Sequence, residues 1–303
     1  MAYTRGVRGG EGGTAAALNE PDEIEFRLLL EALFLRYGYD FRRYAPRSLR
    51  RRVDRAREEH GAASLAELQH RLLRERALFV SLLDSLTVNV TDMFRDPPFY
   101  AALRRVVLPF LRTYPALKIW VAGCASGEEA DSLAILLHEE GLRGRCRIYA
   151  TDISPVAVAR AREGIYPVDR LELYADNYRR AGGTGPFTSY FTVAHGYAAI
   201  APWLRQNVHF AEHNLASDEV FGQMHLVFCR NVLIYFERGL QDRVLDLLGR
   251  SLVHGGFLCL GARESLHMSG HGDAYDQLAP GSKIFRRRPD PFERSGRGTE
   301  RVA

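Results

Sequence analysis

No stretch of this chain is apolar for long enough to cross a bilayer, and its first residues lack the hydrophobic core of a secretory signal. A cytoplasmic protein is therefore expected. Cysteine is scarce: Cys124, Cys146, Cys229 and Cys259 each sit in or beside an apolar, strand-like run, and none belongs to a CxxC pair. That argues against a disulfide framework or a structural zinc site and makes all four small buried hydrophobes. His267 and His271 stand four apart, but Ser269-Gly270 between them would break the helix needed to aim both at one ion, so no metal is expected. The three-glycine fingerprint G-x-G-x-x-G is missing too, which argues against a dinucleotide pyrophosphate and hence against NAD-dependent chemistry. Net charge is only +4, so the distribution of charge says more than its sum.

What is present is a stretch around which the rest is arranged, Lys118 to Glu129. Ile119 to Ala122 reads as a strand covered on both faces. Gly123 and Gly127 then permit a sharp turn and close approach of a ligand, where a Cβ would collide. Leu133, Leu136 and Leu137 continue at helical spacing towards a stop at Gly141. Arg147 to Asp152 is a second strand, followed by a helix begun by Ser154-Pro155. Further strands are Val208–Phe210, leading to Asn214-Leu215, and Leu226–Cys229, leading to Arg230-Asn231. Phe257–Leu260 and a piece near Ile284 complete the sheet. Alternating strands and helices give a parallel-based α/β sheet. Gly164 to Leu204 breaks that rhythm and reads as a small antiparallel insertion with loosely alternating aromatics. Ahead of the sheet, Phe26 to Leu86 carries helical stripes. Arg42 to Arg57 holds eight arginines, and Arg47, Arg51 and Arg55 line up at i, i+4 on the outer face of a helix begun by Pro46. An acidic partner would suit that face; a merely solvated face is the alternative.

In such a sheet the ligand lies across the carboxyl ends of the strands. Asp152, twenty-five positions beyond Gly127, stands about where a ribose-reading carboxylate falls, although it could equally be a helix cap. Glu128-Glu129 at a helix start would repel pyrophosphate and favour a ligand bearing an ammonium or sulfonium, and S-adenosylmethionine bears both.

Four segments, Asn89-x-Thr91-x-x-Phe94-Arg95, Ala125-Ser126-Gly127-Glu128-Glu129, Ala150-Thr151-Asp152-Ile153 and Cys229-Arg230-Asn231-Val232-Leu233-Ile234-Tyr235-Phe236, together resemble the CheR-type protein-glutamate O-methyltransferases, which methylate bacterial chemoreceptors. The match runs from about Phe26 to Phe285. It implies a Rossmann-like S-adenosylmethionine-dependent methyltransferase domain with an inserted antiparallel β-subdomain, preceded by an all-helical domain. The expected divisions are a disordered tail over 1–20, helical domain 21–90, linker helix 91–116, methyltransferase domain 117–288 with its insertion at 165–206, and a disordered tail over 289–303. The implied reaction transfers methyl from S-adenosylmethionine to a glutamate carboxylate of a chemoreceptor-like signalling protein and leaves S-adenosylhomocysteine. Asn89, Thr91, Arg95, Gly123, Glu129, Asp152, Asn214, Leu215, Arg230 and Asn231 are the expected cofactor contacts, with Arg95 and Tyr235 bordering the methyl-transfer centre.

There are departures. Met93 replaces the first phenylalanine of the usual Phe-Phe-Arg, and Ala130-Asp131 stands where Pro-Tyr commonly follows Glu-Glu, at the methionine end of the pocket. In receptor-tethered members the insertion docks a receptor's C-terminal peptide; Gly182 to Gln206 is longer and more aromatic here, so tethering is not expected. Two rivals are a binding module without turnover and a nucleic-acid amino-methyltransferase. The latter is suggested by Asp96-Pro97-Pro98-Phe99, but this element precedes a helix instead of following an edge strand.

Overall fold

The computed structural model describes residues 20–87, 91–266, 269–279 and 281–289 of the chain. The tails expected over 1–20 and 289–303 lie, but for Glu20 and Pro289, outside the described residues. The chain divides into two compact units, one ending at Leu86 and the other beginning at Thr87.

The first unit is helical. α1 (Pro21–Tyr37) buries Phe26, Leu29, Leu30 and Leu33 and ends on Gly38 in the left-handed conformation. α2 (Pro46–Glu59) starts on its proline and buries Leu49, Val53 and Ala56. α3 (Leu65–Leu72) is capped by Ser64, whose hydroxyl accepts from the Glu67 amide, and α4 (Arg76–Leu86) packs Phe79 flat against Tyr37. Arg47, Arg51 and Arg55 are exposed together on α2, with Arg55 engaging Glu59 at 2.7 Å.

The second unit is built on a seven-stranded sheet in the order β6-β2-β1-β7-β8-β10-β9. β1 (Leu117–Ala122), β2 (Cys146–Asp152), β6 (Val208–Glu212), β7 (Met224–Cys229) and β8 (Leu252–Leu260) run parallel, while β10 (Ile284–Arg287) is antiparallel to both β8 and β9 (Tyr275–Gln277). Strand order reverses between β1 and β7, which sets the ligand crevice beyond Ala122 and Cys229. All four cysteines are free and buried.

The linker helix expected over 91–116 is not one helix. α5 (Pro97–Val106) ends at Val107, and a single turn, α6 (Leu108–Leu111), restarts after it. Pro109 has no N–H for a continuous ladder, which breaks the run. Nor is it a spacer: Phe99, Tyr100, Leu103, Leu108 and Leu111 belong to the same core as Ile119, Val121, Leu133 and Phe228 of the sheet layer.

The insertion after α8 (Pro155–Glu163) is a three-stranded antiparallel sheet of β3 (Ile165–Pro167), β4 (Phe191–Ala194) and β5 (Tyr197–Ile200), in the order β3-β5-β4. It also contains a helix, α9 (Leu171–Arg180), that the aromatic pattern did not suggest. Most of its aromatics turn inward: Tyr174, Tyr178, Phe187 and Tyr190 are buried, with Phe94 edge-on to Tyr178 and Phe187, while Tyr197 and Trp203 stay exposed. The aromatic surplus is thus a core that fastens the insertion to the main sheet layer.

Candidate functional site

The glycine turn after β1 is stitched to the end of β2. The Gly123 and Cys124 amides both donate to the Thr151 carbonyl, at 2.8 and 2.9 Å, and the Ala125 amide donates to Asp152 Oδ2 at 2.8 Å. Asp152 Oδ1 accepts from the Ser154 amide at 3.0 Å, and the Ser154 hydroxyl caps α8 by accepting from Ala157. The cap is therefore Ser154. The Asp152 carboxylate thus takes one backbone amide on each oxygen. Gly123 adopts φ +80°, and a Cβ there would overlap Val232 Cγ2 of the β7 loop, so only glycine lets the two strand-end loops touch.

Four of the five described non-glycine residues with positive φ are Phe94, Asp96, Ala125 and Asn231. All four lie in the loops named from the motifs. Left-handed backbone costs on the order of 1 kcal/mol or more per residue, and such strain gathers where surrounding contacts hold side chains in a functional geometry.

Those contacts can be traced. Phe94 donates its amide to Ser132 Oγ of α7 (Glu128–Glu139) at 2.8 Å, while Met93 accepts at its carbonyl from Asn177 Nδ2 of α9 at 3.1 Å. The 91–96 loop is thereby held between α7 and the insertion, with Thr91 and Arg95 half-buried. Asp92 pairs with Arg170 of the insertion. Asp96 stands at the start of α5, but its side chain caps nothing: at φ +60° its carboxylate turns to Arg230.

Arg230 is the hub. Its Nη1 donates to Glu129 Oε1 at 2.6 Å and its Nη2 to Asp96 Oδ2 at 2.7 Å and to the Arg95 carbonyl at 3.3 Å, while the guanidinium lies 4.1 Å from the Phe99 ring centroid. Its side chain is 2% exposed. Glu129 is consequently a partly neutralised acid, which the sequence alone does not reveal.

Glu128 behaves differently. It is buried, accepts from Ser126 Oγ at 2.8 Å, and burial pushes its carboxyl up to about 7. Because its folded value lies above the ordinary 4.5, the stability it contributes when protonated is complete below pH 4.5 and is lost as pH rises through 7. At about 1.4 kcal/mol per pK unit the difference is about 3 kcal/mol. Glu128→Gln should therefore be about 3 kcal/mol more stable than wild type at pH 8 and nearly equal to it at pH 4.5, read from urea midpoints. A pH-independent difference would remove Glu128 as the cause.

Asp131, expected beside the methionine end of the pocket, points elsewhere. It is fully buried, pairs with Arg205 at 2.9 Å and accepts from the Tyr166 hydroxyl at 2.5 Å, so it ties α7 to the insertion. Burial still raises its carboxyl against these partners.

Asn214 and Leu215 follow β6, where the His213 amide donates to the Asp152 carbonyl at 3.0 Å. Asn214 Oδ1 accepts from the Ala216 amide, which shapes the turn, and Leu215 is buried. Tyr235 is half-buried in a 3-10 turn, Leu233–Tyr235, and not a core tyrosine. Asn89 lies outside the described residues. The structure thus gathers Arg95, Gly123, Glu129, Asp152, Arg230 and Asn231 through shared contacts, with Asn214 at the neighbouring strand end.

One residue escaped the sequence reading. Glu264, four positions after β8, accepts amides from Asn231, Val232, Leu233 and Gly261. An acid just past a strand end on the ligand edge was the available signal.

Most of the chain is similar to known proteins. Residues 89–279 match the profile described as the CheR methyltransferase SAM-binding domain, and residues 24–87 match the CheR methyltransferase all-alpha domain. A Pseudomonas putida protein named "Putative methyltransferase Cher3" is 48% identical over 88% of this chain and 97% of its own length. Chemotaxis protein methyltransferase 1 of Pseudomonas aeruginosa is 33% identical over 71% of this chain and 81% of its own. Cher2 of P. putida, also a chemotaxis protein methyltransferase, is 32% identical over 76% and 86%.

Proposed function

The chain belongs to the CheR methyltransferase family, and from that premise we propose that it esterifies glutamate side chains of a chemoreceptor-like signalling protein in the cytoplasm. Its cofactor is S-adenosylmethionine, converted to S-adenosylhomocysteine. The observation that carries the reading is the turn at Gly123, closed by Val232 on one side and by Asp152 on the other. The residues present fit the cofactor: a carboxylate at the end of β2 for the ribose diol, a backbone bend with no room for a Cβ, and an acid at the head of α7 for the ammonium end.

When bound, the cofactor supplies an electrophilic methyl on sulfur. A glutamate of pKa about 4.3 is already ionised at neutral pH, so the protein needs no general base. Its residues align one carboxylate oxygen with the methyl group and exclude water. Tyr235 donates its hydroxyl to that carboxylate and Arg95 orients it. Too tight an Arg95 pair would blunt the nucleophile, so orientation rather than full neutralisation is the assigned role. Arg230, with its guanidinium already committed to Glu129, Asp96 and the Arg95 carbonyl, acts by holding those three in place. Asn89, Thr91, Asn214, Leu215 and Asn231 complete the cofactor's surroundings.

Tyr235→Phe should lower kcat about 10- to 100-fold, the worth of one hydrogen bond to a charged group, and change cofactor Kd much less. Equal losses in both would move Tyr235 from the transfer centre to the cofactor. The α2 face of Arg47, Arg51 and Arg55 supplies the docking charge for an acidic helical acceptor. The function itself is tested by label transfer from methyl-labelled S-adenosylmethionine to a chemoreceptor cytoplasmic fragment. Labelling should vanish when the fragment's methylatable glutamates are replaced by alanine, and persistence would point to another acceptor group.

A further inference from the structure

We propose that Glu264 is a positioning residue for methyl transfer, fixing the loop that carries Asn231 and Tyr235. Its carboxylate is buried, and each oxygen takes two backbone amides: Oε1 from Val232 and Leu233, both at 2.8 Å, and Oε2 from Asn231 at 3.1 Å and Gly261 at 2.5 Å. Four converging N–H groups form an anion cradle, and they offset the burial that raises the carboxyl. Three consecutive amides of the β7 loop are thereby fixed to the end of β8.

The consequences reach the site along two routes. Asn231 stands at φ +61°, a left-handed conformation that asparagine tolerates better than most residues, and its own amide is one of those the clamp holds. Val232 is pressed against Gly123, and the Tyr235 amide donates to the Val232 carbonyl at 3.1 Å, so the Tyr235 turn starts from the clamped residues. The fit is closed from the far side as well: a Cβ at Gly261 would stand 2.7 Å from the Asn231 nitrogen and 2.8 Å from Glu264 Oε2. No group of Glu264 is left over for substrate or cofactor, so its effect passes through the loop.

A glutamine at 264 keeps one acceptor oxygen and sets an amino group against two N–H donors. The loop should then loosen although the sheet stays intact. In Glu264→Gln, amide exchange over residues 230–236 should accelerate about 100-fold while β1 and β2 keep wild-type protection. The kcat for the acceptor that the wild type labels should fall about 100-fold, the order expected for a reacting group displaced by an ångström, while Kd for S-adenosylhomocysteine moves less than about tenfold. Glu264→Asp, which keeps the charge one methylene short, should fall between and carries the test if the glutamine variant does not fold.

The kinetic arm rests on the proposed methyl transfer, but the exchange arm does not: absent wild-type turnover would count against the function alone. Wild-type exchange over 230–236 in either variant would overturn the clamp. Parallel losses of kcat and Kd, or a kcat equal to wild type, would overturn the positioning role.

Discussion

Asp152→Ala should weaken binding of S-adenosylmethionine by about 10²- to 10³-fold, the loss expected when charge-assisted hydrogen bonds to a ligand diol are removed. Two effects add at this position. The ribose loses the acceptor proposed for it, and the Ala125 amide loses the oxygen that holds it at 2.8 Å, so the glycine turn keeps only its bonds to the Thr151 carbonyl. Ala125 sits at φ +47° and has less reason to stay there once that bond is gone. Asp152→Asn, which retains one acceptor oxygen, should fall between alanine and wild type. Titration calorimetry with S-adenosylmethionine reads both. Unchanged affinity in Asp152→Ala would mean that the carboxylate serves only the turn and the start of α8.

The second large effect is on stability. Arg230→Met keeps much of the side-chain volume over Phe99 but leaves Glu129 and Asp96 without their cation. Breaking a buried pair in this way costs about 3–5 kcal/mol, because the desolvated acid remains. Glu129, at 12% side-chain exposure, accounts for most of the penalty, since Asp96 is 44% exposed and is rehydrated. Arg230→Met combined with Glu129→Gln should therefore recover a large part of the lost stability in urea unfolding. If the double variant is no more stable than the single one, the stranded charge is not the cause.

How legible all this was depended on whether chemistry was local. Gly123, Asp152 and Arg230-Asn231 follow strands that read plainly as apolar runs, so the crevice and most of its walls could be placed from spacing. The helix Leu171–Arg180 was hidden because its buried Tyr174 and Tyr178 sit in a segment whose other aromatics do alternate, and a short amphipathic helix and a strand share such a pattern. Asp131 was misdirected for another reason. Glu129, assigned to the pocket, lies two positions earlier, and two residues along a helix rotate a side chain by about 200°, which turns Asp131 onto Arg205 and Tyr166. For Glu264 the place just past a strand end could be read but the role could not, because three of its four partners are amides about thirty positions away and backbone donors leave no mark in sequence. The pairing of Glu129 with Arg230 also revises the electrostatic inference drawn from two adjacent acids. One is paired with a buried guanidinium, and burial leaves the other about half protonated at pH 7. What the helix start offers a cationic ligand is a single, oriented carboxylate.

The most direct test of carboxyl methylation is the alkali lability of the product. The protein is incubated with methyl-labelled S-adenosylmethionine and the chemoreceptor fragment, and the labelled fragment is treated with mild base. Release of the label as volatile methanol is the expected result, because an ester is cleaved where an N-methyl group is not. A label that stays on the fragment through base treatment would contradict methylation of a glutamate carboxylate by this site.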